Sequence, residues 1–189
     1  MSAMAMASAS AAAAHNVFVY GSLLADDVVR VLLNRVPLSS AALLNGFHRF
    51  SIKGRVYPAI LPVQNHQVIG KVLFGITDPE LHILDEFEDV EYQRSLVEVS
   101  SLNRNSVQSA TACRCIMQES SDKLQAHAYV WSNANDPNLY GHWDFEEWEG
   151  AHKESFMKMT SEFMEELELP ESKPRVATYE SFYHQDAEK

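Results

Sequence analysis

The sequence predicts an α+β fold, in which a curled mixed sheet or small β-barrel carries flanking helices and an acidic helix near the carboxyl end. Many strand-like segments and few helices occupy about 120 residues, which is typical of such a sheet. An apolar strand passes directly into a turn and a helix near Gly21. After Trp143 the pattern becomes helical and acidic. A chain of 189 residues suits one domain with a substantial core.

Composition excludes several classes of protein. The net charge of −11 argues against a nucleic-acid partner, which would need clustered Lys and Arg. The chain lacks an apolar run of about 18 residues, so no membrane span is expected. Cys113 and Cys115 are the two cysteines, and their spacing supports neither a disulfide framework nor a zinc site. A reducing, cytoplasmic compartment is therefore expected.

The domain boundaries follow from shifts in composition. Residues 1–14 are Met, Ser and Ala alone, which predicts a disordered tail, with an unusual targeting segment as the alternative. Residues 15–170 are predicted to form a single domain that includes the C-terminal helix. Residues 171–189 are predicted to be a polar tail.

The first element is a strand that ends in a tight turn. Val17 to Tyr20 are apolar and partly β-branched, which predicts a strand buried on both faces. Gly21 allows close approach to the backbone, and Ser22 is a good N-cap for a helix over 23–33. Free N–H groups at such a helix start could receive an anion or an oxyanion. An ordinary buried strand followed by a capped helix is the alternative.

The middle of the chain is predicted to be mostly strands. Asn45-Gly46 marks a turn, the stretch 56–62 carries prolines and should lie on an edge, and 64–67 is a hairpin loop. Gly70 and Gly75 suggest bends or bulges where the sheet curls. The predicted strands are 47–52, 68–76, 92–100, 110–117 and 124–131.

A short helix over Asp78–Glu88 carries the strongest chemical candidate. Asp78 is the expected cap, and Pro79 fits the first helical turn. At about 100° per residue, Glu88 falls on the same apolar face as Leu81 and Leu84. Burial there would raise its pKa toward the range of a general base. The alternative is that the helix frays at Glu88, which then turns to solvent or pairs with Arg94.

The acidic segment after Trp143 is predicted to be a helix with one packed stripe. Residues 144–171 hold ten acidic groups and two lysines. Its acidic face is either simply solvated or a docking surface for a protein partner. The packed stripe at helical spacing is Trp148, Phe156, Met159, Phe163 and Leu167.

Other catalytic signatures are absent from the sequence. It contains no Gly-x-Ser-x-Gly, Gly-x-Gly-x-x-Gly or phosphate-binding P-loop. Glu149 and His152 have the spacing of metal ligands on a helix, but a di-metal site needs two such pairs and further carboxylates. Neither a metal nor a cofactor is expected.

The order and spacing of several segments resemble a known family. Residues 17–24, then 70–75, then 84–89 followed by Tyr92-Gln93-Arg94, are similar to the gamma-glutamyl cyclotransferase-like family. The stretch 129–148 resembles its plant avirulence-induced branch, which implies a defence-related role. The similarity covers roughly residues 16–150.

The resemblance implies a small β-barrel whose cavity holds a gamma-glutamyl group and releases 5-oxoproline. The single acid/base of the family falls on Glu88, and no metal or cofactor takes part. Leu23 stands where characterised cyclotransferases often have another residue, so substrate identity stays open. A non-catalytic small-molecule-binding or interaction module on the same barrel is the alternative. The residues expected to line the substrate site are Tyr20, Gly21, Ser22, Leu23, Leu24, Ala25, Tyr92 and Tyr129.

Overall fold

The computed structural model describes residues 13–102, 119–170 and 172–185, and confirms a mixed α+β fold. The predicted strand 110–117, with Cys113 and Cys115, lies outside the described residues. The strands are β1 (Ala14–Val19), β2 (Ser39–Ile52), β3 (Ala59–Thr77), β4 (Tyr92–Leu102), β5 (Glu119–Trp131) and β6 (Leu139–Tyr140). The helices are α1 (Asp26–Leu33), α2 (Asp78–Glu88), α3 (Phe145–Ala151), α4 (Lys153–Leu167) and α5 (Arg175–Gln185), with 3₁₀ turns at Ser22–Leu24 and Asp89–Glu91.

The strand pairings run in a ring. The order is β3, β1, β5, β4 and β2, and β2 pairs again with β3, while β6 adds to β2 outside the ring. The β1–β5 pair is parallel and the other pairs are antiparallel, so the sheet is mixed as predicted. A ring of this kind leaves few free strand edges.

Strand β1 runs through the core with both faces buried, as the sequence predicts. Val17 and Val19 pack into one apolar cluster, and Phe18 and Tyr20 pack into another on the opposite face. Residues alternate between the two faces of a strand, so a continuous apolar run is required here. The strand begins at Ala14, one residue inside the predicted tail.

The hairpin of β2 and β3 corrects two sequence predictions. Asn45-Gly46 is not a turn, and residues 64–67 are not a hairpin loop, because both lie within these long paired strands. The register shifts between Asn45 and Phe47, whose partners are Gln67 and Pro62, and Gly46 has a positive φ of 78°. The turn and loop signals therefore mark a bulge, where extra residues are accommodated without ending either strand.

Two helix starts also differ from prediction. Ser22 caps no helix, because residues 22–24 form a 3₁₀ turn and α1 begins at Asp26 after an extended Ala25. Helix α2 has the predicted bounds, but Thr77 rather than Asp78 is its cap. Thr77 and Glu80 bond reciprocally in a capping box, a stronger start than a lone cap.

The C-terminal region packs onto the sheet through the predicted stripe and one further helix. Trp148, Phe156, Met159 and Phe163 are buried, and the predicted helix is divided at His152. The acidic docking surface stays a prediction. The prediction of a polar tail over 171–189 is wrong for its described part, where α5 buries Arg175, Thr178 and Tyr179.

No helix within the described ranges is long and apolar enough to cross a membrane. The location of the protein in the cell stays a prediction.

Close strand packing at Gly70 predicts a steric effect on stability. A Cβ at Gly70 would lie 2.3 Å from the Val19 carbonyl oxygen and 2.8 Å from Phe18 Cζ. Gly70→Ala should therefore destabilise the fold by about 2 kcal/mol or more. Gly150→Ala is the control, because the added Cβ has open space on an exposed helix and should stabilise it by about 0.5 kcal/mol. Urea denaturation measures both, and equal midpoints would contradict the prediction.

Candidate active site

A cavity opens where β1 ends and α2 stops. Its empty volume is about 440 Å³, part of which is open to solvent. The turn after β1 supplies one wall, and the last turn of α2 supplies another. The lining residues include Phe18, Val19, Tyr20, Gly21, Ser22, Leu23, Tyr57, Pro58, Phe87, Glu88, Tyr92, Tyr129, Phe156 and Arg175.

Glu88 lines the cavity because core packing fixes the helix that carries it. Leu81, Leu84 and Phe87 of α2 are buried in the main apolar cluster. Phe87 also makes edge contacts with the rings of Phe156 and Phe163, so α4 holds the end of α2. Glu88 is the last residue of this fixed helix and keeps helical φ and ψ.

The environment of Glu88 favours its protonated form. Removal from water is the largest influence, opposed by the charge of Arg175 and reinforced by Glu91 and Asp85, and together they raise the pKa of Glu88 to about 7. Within the described residues, no donor lies at hydrogen-bonding distance from its carboxylate. Such a group can accept and return a proton near neutral pH.

The proposed pairing of Glu88 with Arg94 does not occur. Arg94 Nη1 instead lies 2.5 Å from Asp85 Oδ2, one turn earlier on α2. That contact satisfies the arginine on the outer side of the helix and leaves Glu88 to the cavity.

The turn after β1 brings backbone donors to the same cavity. Gly21, Ser22 and Leu23 line the cavity, and their N–H groups have no backbone partner within the described ranges. A Cβ at Gly21 would lie 2.8 Å from Pro58 Cγ, so only glycine fits without a shift. Arg49 Nη1 donates to the Tyr20 carbonyl oxygen at 2.7 Å and holds the start of the turn.

Leu24 and Ala25 differ from the rest of the expected substrate loop, whose binding role stays a prediction. Neither residue is among those that line the cavity. Their N–H groups donate to the carbonyl oxygens of Gly21 and Ser22, at 2.9 and 3.1 Å, and so close the 3₁₀ turn. The family resemblance places both residues in the substrate loop. Their N–H groups are already used in hydrogen bonds within the turn.

Tyr20, Tyr92 and Tyr129 line the cavity, with their hydroxyls engaged elsewhere. Tyr20 donates to the Tyr129 carbonyl oxygen at 2.5 Å, Tyr92 to the Pro58 carbonyl oxygen at 2.6 Å, and Tyr129 to Asp85 Oδ1 at 2.8 Å. Burial, followed by nearby charges, raises the pKa of each phenol above its ordinary value. The three tyrosines therefore stay neutral and offer rings rather than acids.

Seven of the lining residues are not predicted from the sequence, namely Phe18, Val19, Tyr57, Pro58, Phe87, Phe156 and Arg175. Arg175 comes from α5, inside the predicted polar tail. A signal was present, because the buried Arg175, Thr178 and Tyr179 and the partly buried Phe182 recur at helical spacing. The arginine obscured that signal, since a charge usually marks the exposed side of a helix.

The arrangement suits proton transfer next to a developing negative charge. One carboxyl group with a near-neutral pKa lines the same cavity as free backbone N–H donors, and the cavity has both polar and apolar walls. Across the part of the chain that the structure describes, no group of His, Cys, Asp or Glu side chains is arranged to hold a metal ion.

Comparison with known proteins identifies the family. A family profile described as "Gamma-glutamyl cyclotransferase, AIG2-like" matches residues 17–149. The chain belongs to this family. The matched AIG2-like region contains the turn after β1, helix α2 and Glu88, whereas Arg175 lies beyond its end.

Plant proteins of the AIG2-like group share most of the chain. AIG2-like protein D of Arabidopsis thaliana is 59% identical over 159 residues, which are 84% of this chain and 94% of that protein. AIG2-like protein C of the same plant is 52% identical over 179 residues, or 95% of each chain. An Arabidopsis thaliana protein solved in solution is 38% identical and has a TM-score of 0.58, covering 87% of this chain and 99% of its own.

The raised pKa of Glu88 predicts how stability depends on pH. Because the folded-state pKa of about 7 exceeds the ordinary 4.5, the folded protein binds more protons between these values. Stability should therefore fall as pH rises from 5 to 8, by roughly 2.5 kcal/mol from this group alone. Glu88→Gln should remove that part of the pH dependence.

Urea denaturation at pH 5 and pH 8 measures the effect in the wild type and in both variants. Glu86→Gln is the matched control, because Glu86 is exposed on the same helix and should leave the wild-type pH dependence in place. Equal pH dependence in the wild type and Glu88→Gln would contradict the prediction.

Proposed function

We propose that this protein is a gamma-glutamyl cyclotransferase that needs no cofactor and releases 5-oxoproline from a gamma-glutamyl amide or peptide. The observation that carries the proposal is that Glu88 and the Gly21–Leu23 turn line the same cavity. Family membership supports the reaction class, and the near-neutral pKa of Glu88 supports its role as acid and base. In this proposal the ring of strands is the small barrel expected from the sequence.

The proposed reaction is an intramolecular acyl transfer. The Glu88 carboxylate takes a proton from the substrate α-ammonium, and the freed amine attacks the γ-carbonyl carbon. A new C–N bond closes the five-membered ring, and the carbonyl oxygen becomes an oxyanion. As the oxyanion collapses, the original C–N bond breaks and Glu88 returns its proton to the leaving nitrogen. The Glu88 carboxylate then takes the extra proton from the ring nitrogen, which gives neutral 5-oxoproline, and passes it to the departing amine. Folding the substrate into this attack geometry supplies much of the rate enhancement.

The turn after β1 is proposed to hold the negative end of the substrate. The N–H groups of Gly21, Ser22 and Leu23 can bind either its α-carboxylate or the oxyanion. Since these donors belong to the backbone, the side chain of Leu23 does not remove them. The Leu23 side chain, which lines the cavity, is proposed to influence which leaving group fits.

The aromatic walls are proposed to exclude water and so favour cyclisation over hydrolysis. Phe18, Phe87 and Phe156 line the cavity together with tyrosines whose hydroxyls already have partners. Water that enters would compete with the α-amine for the γ-carbonyl group.

Glu88→Gln tests the catalytic proposal. Glutamine keeps the size of the side chain but cannot accept the proton, so turnover should fall by about 10²-fold or more. The measurement is release of 5-oxoproline from a panel of gamma-glutamyl amines and peptides. Glu86→Gln is the matched control and should keep wild-type turnover, since its side chain is exposed on the same helix. A Glu88→Gln protein as active as the wild type would overturn the assignment.

The same panel separates the enzyme from a binding module. Each compound is scored for product release and for a shift in melting temperature, because a ligand that binds the folded state raises its apparent stability. We expect product from at least one compound. Stabilisation without product from any of them would favour the non-catalytic alternative.

A further inference from the structure

Arg175 of α5 binds the end of the helix that carries Glu88. Its Nε donates to the Phe87 carbonyl oxygen at 2.6 Å, and its Nη2 donates to the Glu88 carbonyl oxygen at 3.3 Å. The last carbonyl groups of a helix have no partner inside it, so a cation placed there satisfies them and opposes the helix dipole. The side chain is 3% exposed and also lines the cavity.

The contact is reciprocal, which fixes the two helices relative to each other. Asp89, directly after α2, accepts a hydrogen bond through Oδ2 from the Val176 N–H in the first turn of α5 at 3.0 Å. Asp89 has a positive φ of 58°, a conformation that few side chains adopt without such support. Each helix thus supplies the group that caps the other.

Further contacts orient the guanidinium of Arg175. Nη2 also lies 3.1 Å from Glu91 Oε2, and the group stacks over the rings of Tyr57 and Phe87 at 4.7 and 5.8 Å. Glu91 has a second cationic partner, Arg55, at 3.2 Å. Glu91 therefore keeps a cationic partner when Arg175 is replaced.

We propose that Arg175 is a positioning residue for Glu88: it fixes the carboxyl end of α2 through two carbonyl groups and places a positive charge beside the cavity. The inference rests on the proposed function and extends it to a helix outside the matched family region, residues 17–149. In this proposal Arg175 acts through Glu88.

The charged groups around Glu88 determine how Arg175 affects the ionisation of Glu88. The groups that face it are Glu91 and Asp85 along its own stretch of chain, Arg175 from α5, and Tyr20, Tyr92 and Tyr129 from the ends of three strands. The tyrosines stay neutral, and both carboxylates oppose ionisation of Glu88. Arg175 is the positive group that favours it, so it keeps part of the Glu88 population ionised and able to accept a proton.

Two substitutions separate the charge from the hydrogen bonds. Arg175→Gln removes the charge, and Arg175→Lys keeps the charge but cannot reproduce the forked contact with both carbonyl groups. Lys173→Gln is the matched control, because it removes an exposed positive charge two residues before Arg175. The pKa of Glu88 is followed by carbon NMR of its carboxyl group, assigned with Glu88→Gln, and activity is followed as kcat against pH.

We expect Arg175→Gln to raise the Glu88 pKa by about one unit and to move the rising limb of the pH profile with it. Arg175→Lys should leave that pKa within a few tenths of a unit of the wild type and lower kcat about tenfold, because the helix end is less firmly held. Lys173→Gln should match the wild type in both measurements.

The sign of the change distinguishes positioning from simple structural support. If loss of Arg175 merely released α5 and let water reach Glu88, the pKa of Glu88 would fall toward its ordinary value. An unchanged or lowered pKa in Arg175→Gln would therefore overturn the proposal, as would wild-type kcat in both variants. If the wild type turns over none of the panel compounds, a raised pKa in Arg175→Gln still supports the inference, and it is the proposed function that has failed.

Discussion

The rest of the site depends on one constraint: packing holds a carboxyl group at a cavity wall, where no donor of the described residues forms a hydrogen bond with it. Solvation would favour turning Glu88 outward, since a buried charge is costly. Core packing prevents this, because Leu81, Leu84 and Phe87 anchor α2 and Phe87 is fixed in turn by two aromatic rings of α4. The protein tolerates the cost by shifting the pKa of Glu88 to about 7, so the group is partly neutral at physiological pH.

The ring of strands brings distant parts of the chain to that carboxyl group. Strand β1 ends in the turn at Gly21, and β3 continues directly into α2, so both elements supply residues that line the cavity. Two glycines permit the close approaches involved, Gly70 beneath β1 and Gly21 against Pro58. Because both walls belong to paired strands or their immediate extensions, the gap between the acid and the backbone donors is set by the sheet and not by mobile loops.

The sequence allowed the buried parts of this site to be predicted, because burial imposes periodicity. The β1 strand, the bounds of α2 and the inward position of Glu88 follow from apolar spacing alone. Contacts between segments far apart in the chain leave no such pattern. Thus Asn45-Gly46 has the residues of a turn but is a bulge fixed by pairing with β3, and the cap of α2 is Thr77, one residue before the predicted Asp78. The sequence does not reveal the contacts of Arg175, because the carbonyl groups that it binds lie 87 residues or more away in the chain.

Helix α5 therefore affects where the boundary of the domain should be drawn. A boundary near residue 150 would include the cavity turn and the acid, yet leave out the one buried cation beside them in the described structure. Helix α2 would then end with unsatisfied carbonyl groups, and Asp89 would lose the N–H that supports its positive φ. These effects fall on Phe87, Glu88 and Asp89, that is, on Glu88 and its two neighbours in the chain. For this protein, the segment that holds the acid in place is as much part of the candidate active site as the segment that carries it.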